Sequence, residues 1–124
     1  MGRAGGEAPE WDLLVCRGCC CGSTSKHRRT DHDGQVDDLR AAQADSDAVR
    51  VLVSDCLDQC ERSNVVLLRP ARAARRRGAK PMWLGGVLAS AQTEALADWV
   101  RRGGPAAEGL PRALQALRFR PSGK

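Results

Sequence analysis

Apolar residues fall into short compact runs separated by polar stretches along most of this chain. Residues 11–15 (WDLLV) form one such run and lead directly into Cys16, which predicts a buried first strand with a loop at its C-terminal end. Residues 22–34 hold Gly, Ser, Thr and Asp and read as a loop. A helix is predicted from about residue 35 to 44, where Val36, Leu39 and Ala42 recur at spacing three and give a narrow apolar face. Asp31 or Asp33 can cap its start, and Ser46 and Asp47 break it. Residues 49–54 (VRVLVS) alternate Val49, Val51 and Val53 with Arg50, Leu52 and Ser54, which is strand periodicity carried by β-branched residues. A third strand is predicted over 64–69 (NVVLLR) and a fourth begins in 81–84 (PMWL). No helical pattern separates them, so an antiparallel pair is expected, and Gly85-Gly86 permits a turn after it.

A second helix is predicted over about 88–102. Leu88, Ala91, Ala95, Leu96, Trp99 and Val100 share one face, and Glu94 and Asp98 oppose it. Arg101 and Arg102 stand where the helix dipole favours cations, and Gly103-Gly104-Pro105 ends the helix. Residues 105–109 read as a linker; Leu110, Leu114 and Leu117, with Pro111 near a helix start, predict a short amphipathic turn packed on the body. The order β-α-β-β-β-α is an α/β, thioredoxin-like layout, with a mixed sheet, helices packed on it and a short C-terminal extension. The 124 residues suit one domain over 11–104, preceded by a disordered tail (1–10) and followed by the extension (105–124). No internal repeat is visible.

Composition narrows the function classes. Hydrophobic residues make up 42% and charged residues 28%, both ordinary for a globular domain. With only Trp11, Trp83, Trp99 and Phe119 as aromatics, leucine, valine and alanine must fill the core, and Trp83 and Trp99 are most simply core residues. No apolar run approaches the roughly 20 residues of a membrane helix. The Gly-rich polar start lacks the apolar centre of a secretory signal, which predicts a cytoplasmic protein without a membrane partner. Net charge is +5, and residues 69–80 hold six cations and no acid. This run can steer an acidic protein partner or form a solvated loop between two strands. It has no interleaved aromatic residue to stack a base, which argues against nucleic acid.

All six cysteines lie in two short segments, Val15-Cys16-Arg17-Gly18-Cys19-Cys20-Cys21-Gly22 and Asp55-Cys56-Leu57-Asp58-Gln59-Cys60. A single disulfide does not need four thiols within six positions; a metal centre needs several thiolates converging from loops. Both segments follow predicted strands that end on the same side of a sheet. Two cysteines from each loop can then hold a [2Fe–2S] cluster, which requires four ligands over two irons, and soft sulfur selects such a centre over magnesium or calcium. The best spacing is Cys16-x4-Cys21, then 34 residues (22–55), then Cys56-x3-Cys60.

Cys-x4-Cys followed tens of residues later by Cys-x3-Cys resembles the thioredoxin-like [2Fe–2S] ferredoxins, a family that includes the small ferredoxin subunit of respiratory complex I. The framing fits as well: Val53-Ser54-Asp55-Cys56 runs into the third cysteine and Asn64-Val65-Val66 follows the fourth. The opening VCRGCCCG and the later run 81–88 (PMWLGGVL) are similar to segments of small actinobacterial ferredoxins. The resemblance covers roughly 11–104 and implies a small, non-enzymatic electron carrier between a reductase and an acceptor enzyme. It implies Cys16, Cys21, Cys56 and Cys60 as ligands, and proteins of this shape can form homodimers. The backbone amides of Arg17, Gly18, Gly22 and Asp58 are candidate donors to the sulfurs, which would raise the potential. Three departures stand out. Cys19 and Cys20 are extra, so Cys20 is the alternative to Cys21. Asp58 replaces the family's usual glycine, and an anion facing the cluster would disfavour reduction. The chain is basic where many ferredoxins are acidic.

Two other chemistries compete. Cys16-Arg17-Gly18-Cys19 is a Cys-x-x-Cys after a strand, the arrangement of a thiol–disulfide oxidoreductase, and Arg17 would help depress a thiol pKa. That reading lacks the helix such sites begin, and it leaves Cys56 and Cys60 without a task. A structural zinc site using four thiols is the other, although zinc favours tighter Cys-x2-Cys knuckles than Cys56-x3-Cys60. His27 and His32 can replace a cysteine ligand in principle; a polar role in the loop is the simpler expectation. The sequence shows no catalytic carboxylate pair, serine triad or phosphate-binding glycine loop.

Overall fold

A computed structural model of the chain describes residues 10–17, 31–45, 48–54 and 64–120. Residues 1–9 of the predicted N-terminal tail (1–10), Ser46 and Asp47 lie outside them. Five strands form one sheet, β1 (Trp11–Cys16), β2 (Val49–Ser54), β3 (Val66–Pro70), β4 (Met82–Leu84) and β5 (Arg118–Phe119), in the order β2-β1-β3-β4-β5. β1 and β2 run parallel, and every other neighbouring pair is antiparallel, including the expected β3–β4 pair. The helices are α1 (His32–Gln43), α2 (Arg72–Arg76), α3 (Ser90–Arg101) and α4 (Arg112–Gln115).

α1 and α3 pack on each other, and the core fills the space between them and one face of the sheet. Trp11, Leu13 and Val15 of β1, Val49 and Val51 of β2, and Val66 and Leu68 of β3 meet Leu39 and Ala42 of α1 and Leu96, Trp99 and Val100 of α3. All six residues of β1 are buried, as an inner strand covered on both faces requires. On the face away from this core, Asp12 accepts from Arg50 Nε at 3.0 Å and from Arg69 Nη2 at 3.1 Å, so one carboxylate ties β2, β1 and β3 together.

The predicted elements are present, with differences that have local causes. α1 begins at His32, three residues before the expected start, because Asp31 is the N-cap and its Oδ1 accepts from the Gly34 amide at 2.9 Å. β3 starts at Val66 rather than at Asn64. Residues 69–80 are not a plain loop. The Ala-rich segment forms α2, and Gly78 at φ 93° closes it, with Gly78 N–H donating to Arg75 O and Ala79 N–H to Ala74 O. Ala74 and Ala79 turn to the core while the arginines stay exposed. On α3 the predicted face is rotated slightly: Ala91 is exposed and Thr93 is buried. Gly103 adopts the left-handed conformation past α3, and Gly104 follows so close to β2 that an added Cβ would stand 2.7 Å from Val49 Cγ2. The C-terminal segment goes further than a packed turn, since Leu114 is fully buried in the core and β5 extends the sheet beside β4.

Candidate metal centre

Of the six cysteines, the described residues include Cys16 alone; Cys19, Cys20, Cys21, Cys56 and Cys60 lie outside them, as do His27, Gly18, Gly22 and Asp58. Among the described residues no group of three or more His, Cys, Asp or Glu side chains is arranged to hold a metal ion. What is described is the base from which both cysteine segments leave and to which they return.

Four positions, Cys16, Ser54, His32 and Asn64, bound that base. Cys16 and Ser54 end the parallel strands β1 and β2 side by side. His32 and Asn64 are where the chain comes back. Arg17 N–H donates to Ser54 O at 2.9 Å, and Cys16 N–H donates to Val65 O at 3.1 Å. The Arg17 guanidinium reaches the His32 carbonyl at 3.0 Å and the Gln35 Oε1 at 2.7 Å, and also bonds the Cys16 carbonyl at 2.8 Å. Asn64 Nδ2 lies 3.0 Å from His32 Nδ1; an amide nitrogen only donates, so the ring nitrogen accepts. Hydrogen bonds thus join these positions and their chain neighbours, and both cysteine segments spring from one spot at one end of the sheet.

These contacts correct three expectations. The Arg17 amide, expected to serve a sulfur, holds the two strand ends together. His32 is not a loop residue: it is the first residue of α1, is buried, and has Nδ1 engaged by Asn64. Trp83 is not in the main core but half-buried on the other face of the sheet, where it and Phe119 pack against Cys16 and Val65. Cys16 itself is 2% exposed.

Sequence reasoning passed over Gln35, Thr93 and Asn64, all buried polar residues. Gln35 Nε2 donates to the Val87 carbonyl at 2.9 Å and to Thr93 Oγ1 at 3.0 Å while its Oε1 takes the Arg17 hydrogen bond. It therefore links the cysteine-bearing strand to the start of α3. A periodicity that counts only apolar residues cannot register this. The stripe of α1 that is buried runs His32, Gln35, Leu39, Ala42, half of it polar.

No protein-family profile matches this chain, and no curated protein matches it in sequence. Among solved structures it is similar to a thioredoxin-like [2Fe–2S] ferredoxin from Aquifex aeolicus, at a TM-score of 0.55 and 16% identity, over 94% of this chain and 99% of that one. At this identity the likeness is one of fold: a mixed five-stranded sheet with helices packed on it, in the thioredoxin-like arrangement.

Proposed function

We propose that this chain is a small one-electron carrier holding a [2Fe–2S] cluster on Cys16, Cys21, Cys56 and Cys60, with Cys20 the alternative to Cys21. It would pass electrons from a reductase to an acceptor enzyme and is not itself an enzyme. The observation that supports this best is the bonding of the four chain ends around Cys16, Ser54, His32 and Asn64. Two cysteine segments anchored at one spot can offer four thiolates to one centre without distorting the core. The fold likeness to a ferredoxin agrees. The proposed kinship with the small actinobacterial ferredoxins rests on the VCRGCCCG and PMWLGGVL runs, and that with the complex I subunit on the paired cysteine spacing.

Such a group, when bound, supplies reversible one-electron transfer. The chain's residues do the rest. Cys16 presents its sulfur from a rigid strand end, and Val65, Trp83 and Phe119 shield that position from water. The Arg17 guanidinium, fixed by the carbonyls of Cys16 and His32 and by Gln35, sets positive charge beside the ligand segment, where it favours the more negative reduced state. Burial of Cys16 also weighs against thiol–disulfide exchange there, since attack on a disulfide needs an accessible thiolate. No helix among the described residues is long and apolar enough to cross a membrane. A reducing cytoplasm would keep all the thiols available.

Protein purified without oxygen should be brown, with visible absorption that bleaches on dithionite, and should carry iron and acid-labile sulfide in equal amounts. A colourless protein with stoichiometric zinc overturns the reading.

A further inference from the structure

On the face of the sheet that carries no helix among the described residues, the strand register aligns one apolar row across the whole sheet: Leu52, Leu14, Leu67, Trp83 and Phe119. Leu14 and Leu67 are buried, whereas Trp83 and Phe119 at the β5 end are only half-buried. Their rings stand 6.0 Å apart at 60°, and both line an open groove of about 600 Å³ at the β5 edge, together with Lys80, Pro81, Arg118 and Arg120. Among the described residues on its lining, the three ionisable ones are cations and none is a carboxylate. The lining touches the candidate ligand, because Trp83 and Phe119 pack against the Cys16–Val65 pair.

We infer that this groove is the docking surface for an acidic electron-transfer protein, one whose carboxylates meet Lys80, Arg118 and Arg120 while an apolar contact covers Trp83 and Phe119. The inference rests on the electron-carrier reading and adds the partner's chemistry and place. An apolar patch bordered at its β5 edge by charge of one sign suits a transient protein interface, in which the charges steer encounter and fix orientation. A second copy of this chain would bring the same cations against each other. A nucleic-acid strand needs flat exposed ring faces, and two half-buried rings tilted at 60° do not provide them. A partner seated here would stand one side-chain layer from Cys16.

The test is calorimetric titration of the full chain with the acidic haem protein cytochrome b5, at about 20 mM and about 200 mM salt, which move the Debye length across contact distances. The double substitution R118E/R120E, at two exposed positions, should weaken binding about tenfold at low salt. The control R40E/R101E makes the same change in net charge on α1 and α3 and should bind as the unaltered chain does. Basic cytochrome c should bind R118E/R120E better than it binds the unaltered chain. Equal loss in both double variants, no loss in R118E/R120E, or tighter binding of a single-stranded oligothymidylate than of cytochrome b5 would overturn the inference. These titrations need no cluster. A colourless zinc protein that still loses cytochrome b5 binding in R118E/R120E would sink the carrier reading and with it the partner's electron-transfer role, leaving an acidic-protein docking surface, and a brown protein indifferent to R118E/R120E would sink only the docking surface.

Discussion

Cys16 ends β1 where the first cysteine segment begins, and its surroundings bear on the ligand role proposed for it. It is nearly water-free, has an aromatic pair behind it, and its carbonyl and that of His32 share the Arg17 guanidinium. A serine there would keep the shape and lose the soft ligand. Cys16→Ser, Cys21→Ser, Cys56→Ser and Cys60→Ser should each abolish the visible spectrum or shift it strongly, with a matching fall in bound iron. Cys19→Ser and Cys20→Ser should leave both unchanged. Loss of the spectrum in Cys20→Ser, with Cys21→Ser intact, would move the ligand register by one residue.

At the scale of elements, the join between β1, α1 and α3 holds a polar linker beside its apolar core. Gln35 serves Arg17, the Val87 carbonyl and Thr93 at once. Gln35→Leu would leave these partners unsatisfied in a buried setting, and each such loss costs on the order of 1–3 kcal/mol. We expect a net destabilisation of roughly 2–3 kcal/mol in chemical denaturation. Gln35→Glu should retain the Arg17 contact but lose the donor to Val87, and so fall between the two. An unchanged midpoint in Gln35→Leu would show that the linker contributes nothing to holding α1 on the strand ends.

For the whole molecule, the C-terminal segment is part of the single core. Leu114 is fully buried with residues of the sheet and α3, and β5 supplies Phe119 to the face that carries Trp83. Leu114→Ala should therefore cost about 3 kcal/mol, comparable to Leu96→Ala in α3, since each empties a fully packed site. A cost below about 0.5 kcal/mol, the scale of surface substitutions, would mark the segment as an appendage. Most of the strand and helix order, and a capping Asp at position 31 or 33, were legible in the sequence, because alternation, 3.6-residue spacing and capping side chains act locally; the β3–β4 pair is antiparallel as expected, although the helix α2, which the expectation excluded, lies between its strands. α2 was missed although Gly78 after an Ala-rich run signals a helix end, and β5 was missed because two residues carry no periodicity. The clustering of thiols and the excess of positive charge belong to the sequence itself. That hydrogen bonds join Cys16 to Val65, Arg17 to Ser54 and His32, and Asn64 to His32, and that Lys80, Arg118 and Arg120 line one groove with the aromatic pair, was decided only by folding, because strand register and buried polar pairing join residues far apart along the chain.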